Sequence, residues 1–232
     1  MKRPKPMPNY MSAREYTWGI RYLLFQLLLL PSFMVMILRI IWPDIDSSIL
    51  NFIFYAVNFT VVVVLLHNFM GQSTSHIWKN LDKVLFVAAI GFAVYWVSNM
   101  SLSALISKLF PGFFNVNDAA ISVGTQENFL LMAIGTIVFV PTAEELLYRA
   151  LLFGICRKRS RILAYAISVL VFAAIHVTGY LGVYQPLHLL LCFVQYFPAG
   201  LVLAAAYDIT GNIYTPILIH TAVNFIGILS MR

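Results

Sequence analysis

Residues 128–156, NFLLMAIGTIVFVPTAEELLYRALLFGIC, decide how the rest of the chain reads. From Asn128 to Ala143 the run carries no charge; Glu144, Glu145 and Arg149 then arrive together, and apolar residues resume as far as Cys156. A helix crossing a bilayer needs roughly 20 mostly apolar residues, so the stretch is long enough to span. Its three ionisable groups fall well inside it, at a depth where each costs a few kcal/mol unless paired or hydrated. Function is to be sought there.

Outward from this stretch the pattern repeats. The 232 residues are 61% hydrophobic and only 10% charged, and the mean hydropathy is +0.85, far outside the range of soluble domains. Apolar runs between polar or Pro/Gly breaks predict spans near 20–42, 49–70, 84–108, 128–156, 162–178, 187–207 and 213–231. The expected fold is therefore all-α, a polytopic transmembrane bundle of about seven helices. Leu23 to Leu38 follows several basic residues like a secretory signal, but no small-residue cleavage site comes after it, so it reads as a retained first helix.

The net charge of +6 points to a membrane surface rather than to nucleic acid. With the N-terminus in the cytoplasm, Lys2, Arg3, Lys5, Arg14, Arg21, Lys79, Lys83, Arg157, Lys158, Arg159 and Arg161 fall on the inner side, against Arg39, Lys108 and Arg232 on the outer. That bias fixes the expected orientation, in a bacterial cytoplasmic membrane. Cys156 and Cys192 offer neither a disulfide framework nor a metal-binding spacing. No repeat or linker divides the chain. Residues 1–127 hold the first three helices and an outer loop at 109–127, and residues 128–232 hold the chemistry, the two forming one structural unit.

The i,i+4 spacing puts Glu145 and Arg149 on one helical face as a charge pair and leaves Glu144 about 100° away. An ion pair that only held the bundle together would need one carboxylate; Glu144 is the excess. His176 in the fifth predicted span, and His220 and Asn224 at i,i+4 in the seventh, fall in overlapping layers with it. A carboxylate, two imidazoles and a carboxamide in a water-poor cavity suit hydrolysis. Glu144 is the candidate base, His176 orients or polarises the water, and His220 and Asn224 supply donors to an oxyanion. The competing chemistry is a zinc site held by Glu144, His176 and His220, although no His-Glu-x-x-His helix is present. The expectation is a metal-free enzyme without cofactor, zinc being the alternative.

Three motifs occur in order: Glu-Glu-x-x-x-Arg at Glu144, Glu145 and Arg149; Phe-x-x-x-His at Phe172 and His176; and His-x-x-x-Asn at His220 and Asn224. With the approach Thr210-Gly211-Asn212 before the last, the combination over residues 128–228 resembles the CAAX prenyl protease and bacteriocin-processing family of intramembrane endopeptidases, also called the Abi family. The resemblance implies a helical membrane protease in which Glu144 and His176 activate water and His220 and Asn224 form the oxyanion site. It implies a peptide or membrane-protein substrate, with lipid as the surroundings. Ala150 stands where many members have Gly and Tyr148 where Phe is common, and neither removes a reactive group.

His67, His76 and His188 read as interfacial, Asp208 as a turn or capping residue, and Arg157 to Arg161 as a topology signal. Two other classes compete with the enzyme. A membrane scaffold or immunity protein would not need Glu144. A proton-coupled transporter would spread its polar groups along a path across the membrane, instead of gathering them in one layer.

Overall fold

The computed structural model describes residues 11–232, so Lys2, Arg3 and Lys5 lie outside the described residues. Ten helices follow one another: α1 (Ala13–Leu28), α2 (Leu30–Ile41), α3 (Ser47–Leu65), α4 (His67–Ile77), α5 (Leu81–Leu109), α6 (Val116–Glu127), α7 (Phe129–Arg159), α8 (Arg161–Ile175), α9 (Pro186–Thr210) and α10 (Tyr214–Ser230). The chain is an all-α integral membrane protein that crosses the bilayer several times. Among the described residues five spans are long and apolar enough to cross, α3, α5, α7, α8 with the turn that continues it to Tyr180, and α9, and the α1–α2 pair makes a sixth if it counts as one span. The apolar α10, with 17 residues, is shorter.

The differences from the expected seven spans have local causes. The first, expected near 20–42, is broken: Pro31 offers no N–H to the carbonyl four residues back, and the chain bends by 60° between α1 and α2. The second, expected near 49–70, stops at Leu65, and α4 starts afresh at His67. That break is secured from α1. Ser12 and Glu15 form a reciprocal capping box, and the buried Glu15 also accepts the Phe69 backbone N–H at 2.9 Å. The outer loop expected at 109–127 is largely helical, because Asn115 caps the Asn117 and Asp118 N–H groups and so starts α6.

Helix α7 is the centre of the bundle. In its most apolar stretch 44% is buried inside the protein, against 6% for α5, whose sides face lipid. Leu146, Leu147, Tyr148, Leu151 and Phe153 make its fully enclosed core. Helices α8 and α9 approach closely where Gly200 lies against Val169; a Cβ at Gly200 would come 3.1 Å from the Val169 Cα.

Side-chain contacts identify the two ends. At one, Asp208 accepts Arg157 at 2.8 Å and Arg161 at 2.7 Å, Lys158 lies over the Tyr16 ring, and Lys83 donates to the Ile209 carbonyl. Asp208 thus ties α9 to the start of α8, a larger role than a turn. At the other end, Glu127 accepts from Ser47 and Ser48, and Asn115, Gln195 and Ser103 form a chain of hydrogen bonds. Four basic residues expected on one side, Lys83, Arg157, Lys158 and Arg161, thus meet at the Asp208 end.

Candidate active site

Helix α7 is not a regular α-helix. Gly135–Phe139 and Glu145–Phe153 are π-helical, with hydrogen bonds reaching five residues along, an arrangement that often marks functional sites. Pro141 helps to explain the first segment. Val140 N–H bonds to the Gly135 carbonyl, and the next donor that pattern would send, to Thr136, belongs to Pro141, which has none. The free carbonyls are taken up by α10: Asn224 Nδ2 donates to Thr136 O at 2.8 Å and Thr221 Oγ1 to Ile137 O at 3.1 Å. The irregular turn of α7 therefore fixes the orientation of the Asn224 amide.

The second π-helical segment carries the charged residues. Glu145 and Arg149 are both 0% exposed, and Glu145 Oε1 receives Arg149 Nη1 at 3.0 Å and His220 Nδ1 at 2.9 Å. The expected pair exists, and it reaches across to α10. A carboxylate only accepts, so Nδ1 of His220 carries the proton and Nε2 is its free nitrogen. Arg149 also lies over the Phe172 ring, 4.2 Å from its centroid. Its Nε and Nη2 have no partner, and neither has Glu145 Oε2. The pair is closed off from water and held by geometry on one side only.

His176 caps the end of α8. Its Nδ1 lies 2.7 Å from the Phe172 carbonyl, an acceptor only, so Nδ1 is the protonated nitrogen and Nε2 the accepting one in the neutral ring. Tyr196 stacks on this ring, with centroids 4.0 Å apart and 24° between planes. Tyr196 occupies the break in α9 between Gln195 and Phe197, next to Pro198, and its hydroxyl donates to Asn115 Oδ1 at 3.2 Å. Phe172 touches every part of the group, with His176 at 4.7 Å and His220 at 5.9 Å between centroids. The Phe of the Phe-x-x-x-His pattern thus separates Arg149 from the cavity and presents its carbonyl to His176.

Glu144, His176, His220 and Asn224 all line one cavity of about 1240 Å³. Glu144 Oε2 is buried and has no hydrogen-bond partner; in Glu145 the same holds for Oε2, while Oε1 receives Arg149 and His220. Four residues expected together are therefore brought to one space, and Glu145 and Arg149 stand behind it. Among the described residues no three His, Cys, Asp or Glu side chains are grouped as a metal site.

Several lining residues escaped the sequence. Gln26 of α1 accepts the Tyr148 hydroxyl at 3.1 Å, Tyr55 of α3 packs on Gly135, and Tyr196 and Asp118 join from α9 and α6. Gln26 was detectable as a polar residue within an apolar run. Tyr196, next to Pro198, carried no such signal, since aromatic residues abound in these helices.

Neither curated proteins nor solved structures give a match to the chain. A family model does: residues 126–226 match the one described as Rce1-like, type II CAAX prenyl endopeptidase. That interval contains α7 to most of α10 and every one of the motif residues, so this part of the chain is similar to the CAAX prenyl protease and bacteriocin-processing family.

Proposed function

We propose that the protein is an intramembrane endopeptidase that hydrolyses a peptide or membrane-associated protein with water activated by Glu144. The observation that carries this reading is that Glu144, a carboxylate without a protein partner at Oε2, lines one cavity with His176, His220 and Asn224. A carboxylate without a protein partner is free to hold water, and the accepting Nε2 of His176 gives that water a second anchor.

The water oxygen attacks the scissile carbonyl carbon while its proton passes to Glu144. Negative charge collects on the carbonyl oxygen, where the second N–H of the Asn224 amide is available as a donor. The His220 ring, held at Nδ1 by Glu145, lines the same cavity, and its Nε2 can donate to that oxygen when it carries a proton. The C–N bond then breaks as Glu144 returns the proton to the leaving nitrogen, which restores the carboxylate. Glu145 and Arg149 act through His220 and do not touch the reacting atoms. The charge bias supports an N-terminus on the cytoplasmic side.

The test is cleavage of a peptide library by detergent-purified protein, with and without a chelator. Glu144→Gln is expected to lower kcat by about 10²- to 10⁴-fold while circular dichroism stays unchanged, with the wild type indifferent to the chelator. Full activity in a folded Glu144→Gln would end the proposal, and activity lost to chelator and restored by zinc would replace it with a metalloprotease.

A further inference from the structure

The cavity extends from Glu144 to the first turn of α6, and its charged lining is of one sign. Among its described lining residues are two carboxylates, Glu144 and Asp118, and no Lys or Arg. Asp118 is solvent-accessible and lines this cavity together with Tyr95, Tyr180 and Tyr196. Among the described residues no cation lies within ion-pair distance of it. Burial pushes its carboxyl up to about 6, the direction expected of an acid enclosed without a countercharge. A first-turn acid also serves the helix dipole, which explains the residue type but not its place in a cavity lined by tyrosines.

Tyr196 joins this space to the proposed reaction centre. One face of its ring lies on His176, while its hydroxyl sits among Asn115, Asn117 and Asp118. Asp118 is therefore about one tyrosine side chain from His176. A carboxylate that shares a cavity with three tyrosines suits a cation, which gains from the charge and can lie against a ring. The same lining has no basic side chain to receive a free carboxylate.

We propose that Asp118, with Tyr95, Tyr180 and Tyr196, forms a specificity subsite for a lysine or arginine side chain of the peptide substrate. This rests on the endopeptidase reading. A bound peptide lies along the cavity with its scissile carbonyl at Glu144 and His176 and one basic residue toward α6.

The test uses the full-length protein in detergent and peptides that carry either Lys or its uncharged isostere norleucine, moved one position at a time around the cleaved bond. At one position the wild type is expected to prefer Lys by about tenfold in kcat/KM. Asp118→Asn is expected to abolish that preference while cleaving the norleucine peptide at the wild-type rate. Asp118→Lys is expected to invert it toward Glu. A wild type without a preference, or an Asp118→Asn that keeps the preference or loses activity on all peptides equally, overturns the subsite and leaves the protease reading intact. If the wild type cleaves nothing, the protease reading fails by itself. Fluorescence anisotropy of the same peptides on Glu144→Gln then decides the subsite: tighter Lys binding that depends on Asp118 supports it, and equal binding overturns it.

Discussion

Replacing Arg149 with Met removes a guanidinium that is 0% exposed and leaves the equally buried Glu145 carboxylate with His220 as its one remaining partner. Breaking a buried ion pair from one side typically costs about 3–5 kcal/mol, because the surviving charge stays desolvated. For a chain of this size that corresponds to a fall of roughly 6–20 °C in Tm. Glu145→Gln attacks the other side. Its amide oxygen can still accept from Arg149 and His220, so what is lost is charge, and the guanidinium is left with the Phe172 ring at 4.2 Å. The double variant has neither charge. It is expected to cost less than the sum of the singles by about 1–3 kcal/mol. Thermal unfolding of the four proteins in one detergent, followed by far-UV circular dichroism, measures the cycle. Additivity within about 0.5 kcal/mol would refute the argument, since it would mean that Arg149 is held by the aromatic ring and that Glu145 serves His220 alone.

Three further outcomes follow from the geometry. Tyr196→Phe keeps the stack on His176 and loses the hydroxyl's contacts with Asn115, Asn117 and Asp118, so kcat should fall a few-fold at most. Tyr196→Leu, which loses the stack, should lower kcat by about tenfold or more with little change in KM, and equal effects of the two in peptide cleavage would contradict a positioning role. Pro141→Ala restores an N–H that competes with Asn224 for the Thr136 carbonyl, and it should depress kcat even though it makes α7 more regular; unchanged turnover would detach the π-helical turn from Asn224. Hydrogen bonds from Ser47 and Ser48 hold the Glu127 carboxyl below its ordinary range. Because the folded-state value is the lower one, the stabilisation is present above the ordinary Glu value and is lost as pH falls through the depressed one. Unfolding temperatures measured down the acid limb should lose part of their pH dependence in Glu127→Gln, and an unchanged limb would count against the α3–α6 tie.

Apolar length made the bilayer and most of the long helices legible, because the need to satisfy every backbone group inside lipid leaves few alternatives. It did not show where helices break. Pro31 and Pro198 lie inside runs that periodicity treats as continuous, and each withdraws a hydrogen bond that lipid cannot replace, so α2 swings away and Tyr196 turns toward His176. Helix α6 was hidden for the opposite reason: Asn115 and Asp118 gave it the polarity of a loop, although the same residues cap a helix start. The motif residues were legible as ionisable groups at a depth where they are costly. What the sequence withheld was which partner each one has. The choice of Glu145, and not Glu144, as the neighbour of His220 depends on how far the π-helical turn rotates α7.

That rotation carries the last step. Two adjacent glutamates on a helix diverge by about 100°, so a single neighbouring element cannot serve both in the same way. Here one direction points to Arg149 and His220 behind the cavity and the other into it. The buried pair absorbs the desolvation cost of carrying charge through the centre of the bundle and positions the imidazole. Glu144 is thereby left with an oxygen that no protein group satisfies, an expensive condition that persists in a packed interior where a further ligand, such as water or substrate, completes it. A purely structural ion cluster would be expected to close on itself. Here both glutamates keep a buried oxygen without a protein partner, and of the two it is Glu144 that lines the cavity.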